Sequence, residues 1–336
     1  MKRIGLIRGD GIGPEISRCV EKIFNKMQLP LEIIDINLGV QNIEKGKELI
    51  PDDEIEKMQS CEAILKAPLM TPIGEGFSSV NVSLRKLFNL DINYRPVKTI
   101  EGIDTPFKNV DIITIRENTQ GMYGGEGQVF DGETARATSV MNKTKLESFF
   151  RRSFELLVKE GRKNVVISHK ANILKTTSGL FLKTGLEISK EYPELNVTDM
   201  IVDATAMNLV KTPERFDSII TSNLFGDILS DLCAGLVGGL GVASGANLGA
   251  NIAIFEAVHG TAPDIEGKNL ANPTAFIYTA CLMLDFLELN EEADLIRDVL
   301  NKALSQKETR TGDLGGYMKQ DEFLNNLLDR LEEKLK

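Results

Sequence analysis

Three arginines, Arg85, Arg95 and Arg116, each stand in or beside an apolar run (SLRKLF, NYRPVK, IITIREN) rather than on an all-polar face. A guanidinium in such surroundings needs an anion. Two readings fit: structural ion pairs with the abundant Asp and Glu, or convergence on a ligand carrying several carboxylates, which arginines grip bidentately. Ser79 and Asn81, in SSVNVSLR just before Arg85, could donate hydrogen bonds toward the same anion from a helix start. The plainer alternative is N-capping by Ser79.

Asp227 and Asp231, in NLFGDILSDLCAGL, are one helical turn apart among Ile228, Leu229, Leu232 and Cys233. Like charges at that spacing repel by roughly 0.2 to 0.5 kcal/mol even when exposed, and more when desolvated, so something cationic should compensate. Asp203, in MIVDATAM at the end of a strand pattern, is a third candidate. Such an all-oxygen set selects Mg²⁺ or Mn²⁺, whereas a solvated acidic face is disfavoured by the apolar neighbours. His169 (SHKAN) and His259 (VHGTAP) both read equally well as satisfied buried imidazoles. Lys170 and Tyr123, the latter in GMYGG, are better acid/base candidates, although the residues alone favour Lys170 as a surface lysine at a strand end. The opening GDGIGPEI follows a strand and opens a helix, but it lacks the G-x-G-x-x-G spacing. A tight turn is preferred there over a pyrophosphate site.

The elements that must hold these residues follow an α/β rhythm. KRIGLIR, LEIIDIN, AILKAP, VDIITIRE, NVVISHK, NVTDMIVD and FDSIITSN read as strands. Helical patterns separate most of them, notably residues 144–160 and 173–190, and Pro14 suits a first helical turn. Residues 121–142 break the rhythm as a glycine-rich ribbon or protruding arm would. From Asn272 onward the chain is mostly helical: PTAFIYTACLMLDFL is apolar nearly all round and so buried, and residues 291–306 and 319–336 are amphipathic. Residues 232–255 carry no charge, but six glycines, two asparagines and a serine make a membrane span unfavourable. A buried loop region is expected there instead. The net charge of −10 gives no global reason to bind nucleic acid or an anionic membrane. Four separated cysteines without ligand spacing read as buried thiols in a reducing compartment, and the N-terminal residues do not read as a targeting peptide, so a cytoplasmic protein is expected.

Taken together, GDGIGPEI, RENTQGMYGG, SHKANILKTTSGLF, NLFGDILSDLCAGLVGGLG, FEAVHGTAPDIEGKNLANPTA and DLGG resemble the metal-dependent β-decarboxylating dehydrogenases of isocitrate, 3-isopropylmalate or homoisocitrate. The resemblance covers nearly the whole chain. It implies a two-domain α/β/α fold that is not a Rossmann fold, with a large domain of residues 1–92 and 239–336 on the cofactor side. The small domain would span 93–238, its 121–142 arm clasping a second copy in a homodimer, with the active site in the cleft.

The same resemblance implies substrate binding by Ser79, Asn81, Arg85, Arg95 and Arg116, and metal binding by Asp227 and Asp231 with Asp203 of a second copy. Proton transfer would fall to Tyr123, and to Lys170 with Asp203 from the second copy. Cofactor contacts would come from Thr71, Glu256, His259, Gly260, Thr261, Ala262, Asp264, Ile265 and Asn272. The polar pair Ser79 and Asn81 resembles the isocitrate branch, as does KAPLMTPIGEG, in which Ala67 and Met70 depart from the usual residues. Gln120, Ser178 and DINYRP are further departures. Asp264 and Ile265 occupy the ribose-facing positions, where a carboxylate accepts from a free 2'-hydroxyl and repels a 2'-phosphate, so NAD is expected. Homoisocitrate is the runner-up substrate, 3-isopropylmalate a weaker one, and a catalytically silent regulatory subunit a different class of answer.

Overall fold

Short β-branched runs alternating with amphipathic stretches build parallel strands covered by helices. The computed structural model describes residues 1–39, 42, 48–70, 79–124 and 127–336. In chain order the first elements are β1 (Lys2–Ile7), α1 (Gly13–Lys26), β2 (Leu31–Asp35), α2 (Asp52–Gln59), β3 (Ala63–Lys66) and α3 (Val80–Leu87). Then follow β4 (Ile92–Lys98), β5 (Asp111–Glu117), β6 (Val129–Phe130), β7 (Ala135–Arg136), α4 (Lys143–Lys159), β8 (Asn164–His169) and α5 (Thr177–Ile188). The remainder is β9 (Asn196–Ile201), α6 (Val202–Lys211), β10 (Ser218–Thr221), α7 (Asn223–Val237), β11 (Ala246–Leu248), β12 (Ala253–Glu256), α8 (Thr274–Phe286), α9 (Asn290–Ser305) and α10 (Gln320–Leu335).

Two units emerge. One joins Met1–Phe88, Ile100–Thr105 and Gly238–Lys336; its strands lie in the order β2-β1-β3-β12-β11, parallel except for the β11–β12 pair. Helix α8 packs on β3, β12, α1 and α9, which explains why TAFIYTACLMLDF is apolar on nearly every side. The other unit, Asn89–Thr99 with Pro106–Val237, orders its strands β4-β5-β10-β8-β9, parallel except for β4 against β5. Helix α7 lies over β4, β5 and β10, while α4 and α5 bury Phe149, Phe150, Phe154 and Phe181 as an aromatic cluster.

Several sequence expectations shift. Residues 232–255 are not one buried loop: the last turns of α7 continue to Val237, a short 3₁₀ turn covers Leu240–Val242, and β11 and β12 follow. The glycines lie within and between these elements rather than marking one long irregular segment. Asp203 does not end a strand; β9 stops at Ile201 and Asp203 sits in the first turn of α6, where the helix dipole favours an acid. Strand β4 was hidden by Pro96, Asn93 and Arg95, yet it pairs with β5 along its length. The described residues of 121–142 form a ribbon, with β6 against β7 and a Gly121–Val140 bridge at its base; Val129 and Phe130 are exposed. Among the described residues no helix is long and apolar enough to cross a membrane.

Candidate active site

In the second unit the candidate residues gather around Arg116, near the end of β5 and 1% exposed. A guanidinium so enclosed must be met on each edge. Its Nε and Nη2 both donate to Asn223 Oδ1, at 3.1 and 2.7 Å, and its Nη1 donates to Asp227 Oδ1. Its Cζ lies 5.0 Å from the centroid of the Tyr123 ring, within cation–π reach. Tyr123 Oη donates to Asp227 Oδ2 at 2.7 Å, so both oxygens of that carboxylate are engaged. Burial, and then Asp227, push the Tyr123 phenol above its ordinary range. Gly226 makes the assembly possible. An ideal Cβ there would stand 2.5 Å from Arg116 Cγ, so a side chain would displace the arginine.

Arg95 belongs to the same face. Asn93 of β4 stands opposite Arg116 of β5, and period-two alternation puts Arg95 on the side of Asn93, whose Oδ1 accepts from Arg95 Nε at 3.0 Å. Asp231, one turn beyond Asp227, is raised above the carboxylate range chiefly by desolvation, with Asp227 adding and Arg95 and Arg116 opposing. Glu117, missed in the sequence, accepts from Thr119 N, Thr119 Oγ1 and Gln120 N; Gln120 Oε1 in turn accepts from Asn142 N at 2.6 Å. These bonds tie the end of β5 to the base of the arm that carries Tyr123.

Lys170 and Asp203 form a separate pair. Lys170 Nζ donates to Asp203 Oδ1 at 2.5 Å, which lowers the Asp203 carboxyl below its usual range. Ser178 Oγ accepts from Lys170 N at 2.8 Å. His169 is a satisfied imidazole: Nε2 faces Asp199 Oδ2 at 3.0 Å and Nδ1 accepts from Ala171 N. Among the described residues no three His, Cys, Asp or Glu of one chain are grouped to hold a metal, so Asp203 does not join Asp227 and Asp231 within a protomer.

The first unit holds the remaining candidates. Ser79 stands at the N-cap of α3, but its hydroxyl makes no capping bond there, contrary to the plainer reading. Asn81 Oδ1 is buried and, among the described residues, without a partner. One turn on, Arg85 Nη2 is 3.9 Å from Glu256 Oε1. Glu256 also takes Asn247 Nδ2 at 2.7 Å and Lys66 Nζ at 2.8 Å. Lys66, only 3% exposed, went unnoticed in the sequence, where AILKAP reads simply as a strand; the β3–β12 register sets it beside Glu256.

Beyond β12, His259 Nδ1 lies 3.0 Å from Gly260 O, while Nε2 is buried without a partner among the described residues. Burial pushes this imidazole down, with the Gly260 carbonyl opposing. Space is open beside Gly260, and Asp264 is exposed on the short turn Pro263–Ile265 with Ile265 half-buried. Asn272 turns its side chain inward: Nδ2 donates to Asp313 Oδ2 at 2.8 Å and Oδ1 accepts from Thr274 N at 2.9 Å, opening α8. Thr71 lies outside the described residues. The GDGIG turn offers no row of open amides. Asp10 N donates to Pro68 O, Ile12 N to Thr261 O and Gly13 N to Asp10 O. Gly11, at φ +58°, would carry a Cβ 2.1 Å from Thr261 O, which is the reason for glycine there.

The same chain matches the isocitrate/isopropylmalate dehydrogenase family over residues 3–327. It belongs to that family. Family membership makes it an oxidoreductase and accounts for the α/β/α fold, which is not a Rossmann fold. A crystal structure of isocitrate dehydrogenase from Methylococcus capsulatus superposes with a TM-score of 0.93 at 41% identity, covering 98% of this chain and 99% of that one. The mitochondrial NAD isocitrate dehydrogenase subunit alpha of Bos taurus is 41% identical, over 99% of this chain and 91% of its own length. A 3-isopropylmalate dehydrogenase from Archaeoglobus fulgidus is 43% identical, over 99% of this chain and its entire length, 100%. Overall identity within the family therefore does not separate the substrates.

Proposed function

We propose that the chain catalyses the NAD-linked oxidative decarboxylation of isocitrate to 2-oxoglutarate and CO₂ with Mg²⁺ or Mn²⁺, working as a homodimer. The observation that carries the isocitrate reading is the polar first turn of α3. Ser79, whose hydroxyl makes no capping bond, and Asn81, one turn before Arg85, bring a hydroxyl and a side-chain amide that can donate to a substrate's γ-carboxylate, whereas an apolar branch offers them no acceptor.

The residues fit the two absent groups. Asp227 and Asp231 are hard oxygen donors one helical turn apart on α7, the kind of donor that Mg²⁺ and Mn²⁺ take. The unpartnered His259 Nε2, the open space at Gly260 and the exposed Asp264 fit a dinucleotide. Asp227 and Asp231 would hold the ion with Asp203 of a second copy; the ion supplies Lewis acidity and NAD accepts the hydride. Arg85, Arg95 and Arg116 orient the substrate's carboxylates. The Lys170–Asp203 pair takes the proton of the 2-hydroxyl as the hydride leaves the same carbon. After CO₂ departs, the Tyr123 phenol, kept protonated by burial and by Asp227, returns a proton to carbon.

A homodimer is supported by the exposed apolar residues Met207 and Val210 on α6 and Leu224 and Ile228 on α7, two helices that pack together, and by the arm's Val129 and Phe130. The four buried free thiols fit a cytoplasmic, reducing setting. Homoisocitrate is the runner-up substrate. Retention of all three arginines, Tyr123, Lys170 and the three aspartates opposes a silent regulatory role. The test is NADH formation by the chain purified alone, with isocitrate, homoisocitrate and 3-isopropylmalate offered in turn with NAD and NADP. A preference for 3-isopropylmalate, or no turnover at all, would overturn the proposal.

A further inference from the structure

The penultimate residue of GDGIGPEI is an acid whose partner is remote in sequence. Glu15, in the first turn of α1 and 9% exposed, accepts from Gly267 N through Oε1 at 2.6 Å. Three residues earlier, Ile12 N donates to Thr261 O at 2.9 Å. These two bonds bracket the turn Pro263–Ile265, one before it and one after it. Within the turn the ties are short-range and long: Ile265 N to Ala262 O at 3.2 Å and Glu266 N to Pro263 O at 3.3 Å. The turn is also strained at its entrance, where Ala262 has φ +41°, a region that residues with a Cβ avoid. It leaves through Gly267 at φ +69°.

We infer that Glu15 is a positioning residue for the adenosine end of the dinucleotide, acting through Gly267 on the placement of Asp264 and Ile265. This rests on the NAD reading above. The opening motif then works as a clamp on the selectivity turn rather than as a phosphate cradle, in keeping with backbone donors that already end on Pro68, Thr261 and Asp10 carbonyls. A carboxylate accepting from an amide in a water-poor place makes a short, charge-assisted bond. Without it, the strained turn loses its tie to α1 on the far side and keeps the Thr261 tie and its own short-range bonds, and Asp264 is held less firmly.

Glu15→Met keeps the chain length of the side chain and removes the acceptor, whereas Glu15→Gln keeps a neutral acceptor. Both are made in the full chain. Hydrogen exchange is followed in the free protein, and NAD and NADP binding by calorimetry. In the Met variant, exchange at residues 264–267 should quicken while β1 and β3 stay protected. Its Kd for NAD should rise about tenfold or more, and the NAD:NADP affinity ratio should fall. The KM for NAD should rise with kcat largely kept, and Gln should recover most of each change. Wild-type exchange together with a wild-type Kd in the Met variant overturns the clamp. If Met prevents folding, the unsubstituted protein decides: a Gly267 amide protected well beyond an open turn supports the clamp, and free exchange overturns it. An unsubstituted chain that binds no NAD overturns the cofactor reading and this inference with it, whereas NAD binding that is indifferent to Glu15 overturns the clamp alone.

Discussion

The two ends of the candidate machinery are built on opposite plans. Around Arg116 every edge of the guanidinium and both oxygens of Asp227 are engaged by neighbours of the same chain. On α3 and in the loop after β12, by contrast, Asn81 Oδ1 and His259 Nε2 are buried without partners among the described residues. Groups that must hold a fixed charge pattern are pre-organised by their own fold, since a network satisfied in a low dielectric is rigid. On the proposed reading, groups that distinguish one ligand from another keep unmet hydrogen-bonding capacity, because a wrong ligand then leaves a buried polar atom unpaired. Chemistry and selectivity should accordingly break in different ways.

The largest effect is expected in the closed network. Asp227→Asn removes the charged partner of a buried arginine and, on the proposed reading, a metal ligand. Turnover should fall by at least about 10²-fold and the divalent-ion requirement should rise steeply, read as NADH formation against Mn²⁺ concentration. Full turnover of the unsubstituted enzyme in EDTA would contradict the metal assignment.

Next come the two proton carriers, each expected to be worth about 10² to 10⁴ in rate. Tyr123→Phe should spare reduction of the keto acid intermediate while slowing decarboxylation. Lys170→Met should damage the redox step. If sites are shared between copies, mixing the two variants should restore part of the activity; subunit exchange without any restoration would show that both groups act within one protomer.

On the open side the losses should be of preference rather than of rate. Asp264→Lys with Ile265→Tyr removes the acceptor for a ribose hydroxyl and adds a cation for a phosphate, so the NAD:NADP ratio of kcat/KM should fall by about tenfold or more. An undiminished NAD preference would mean that the ribose lies elsewhere.

The smallest effect concerns His259. Burial lowers its folded pKa beneath the unfolded value near 6.5, so below that pH the unfolded chain binds the extra proton. Its contribution to stability is therefore present above pH 6.5 and is lost as pH falls through the folded pKa. Thermal melts from pH 7 to pH 5 should show a decline that His259→Asn makes shallower; identical slopes would mean that the ring stays exposed enough to titrate normally.

Much was legible along the chain because helical and strand spacing are local properties. The one-turn separation of Asp227 and Asp231, the apolar setting of Arg116, the all-round hydrophobic pattern of α8 and the arm at 121–142 needed no partner to be seen. The long motifs sufficed to place the chain in its family. What register and packing decided was hidden. Lys66 became a buried partner of Glu256 only when β12 aligned on β3, and Asn223 and Gly226 acquired meaning only when α7 lay against Arg116. The inward turn of Asn272 depends on Asp313, and the tie from Glu15 to Gly267 joins segments from opposite ends of the chain. Residue types and their periodicity determine which chemistry is available, since they act over a turn or a strand. Which charges meet, and which polar atoms stay open for a ligand, is set by contacts between distant segments, and those exist only once the sheets and helices have packed.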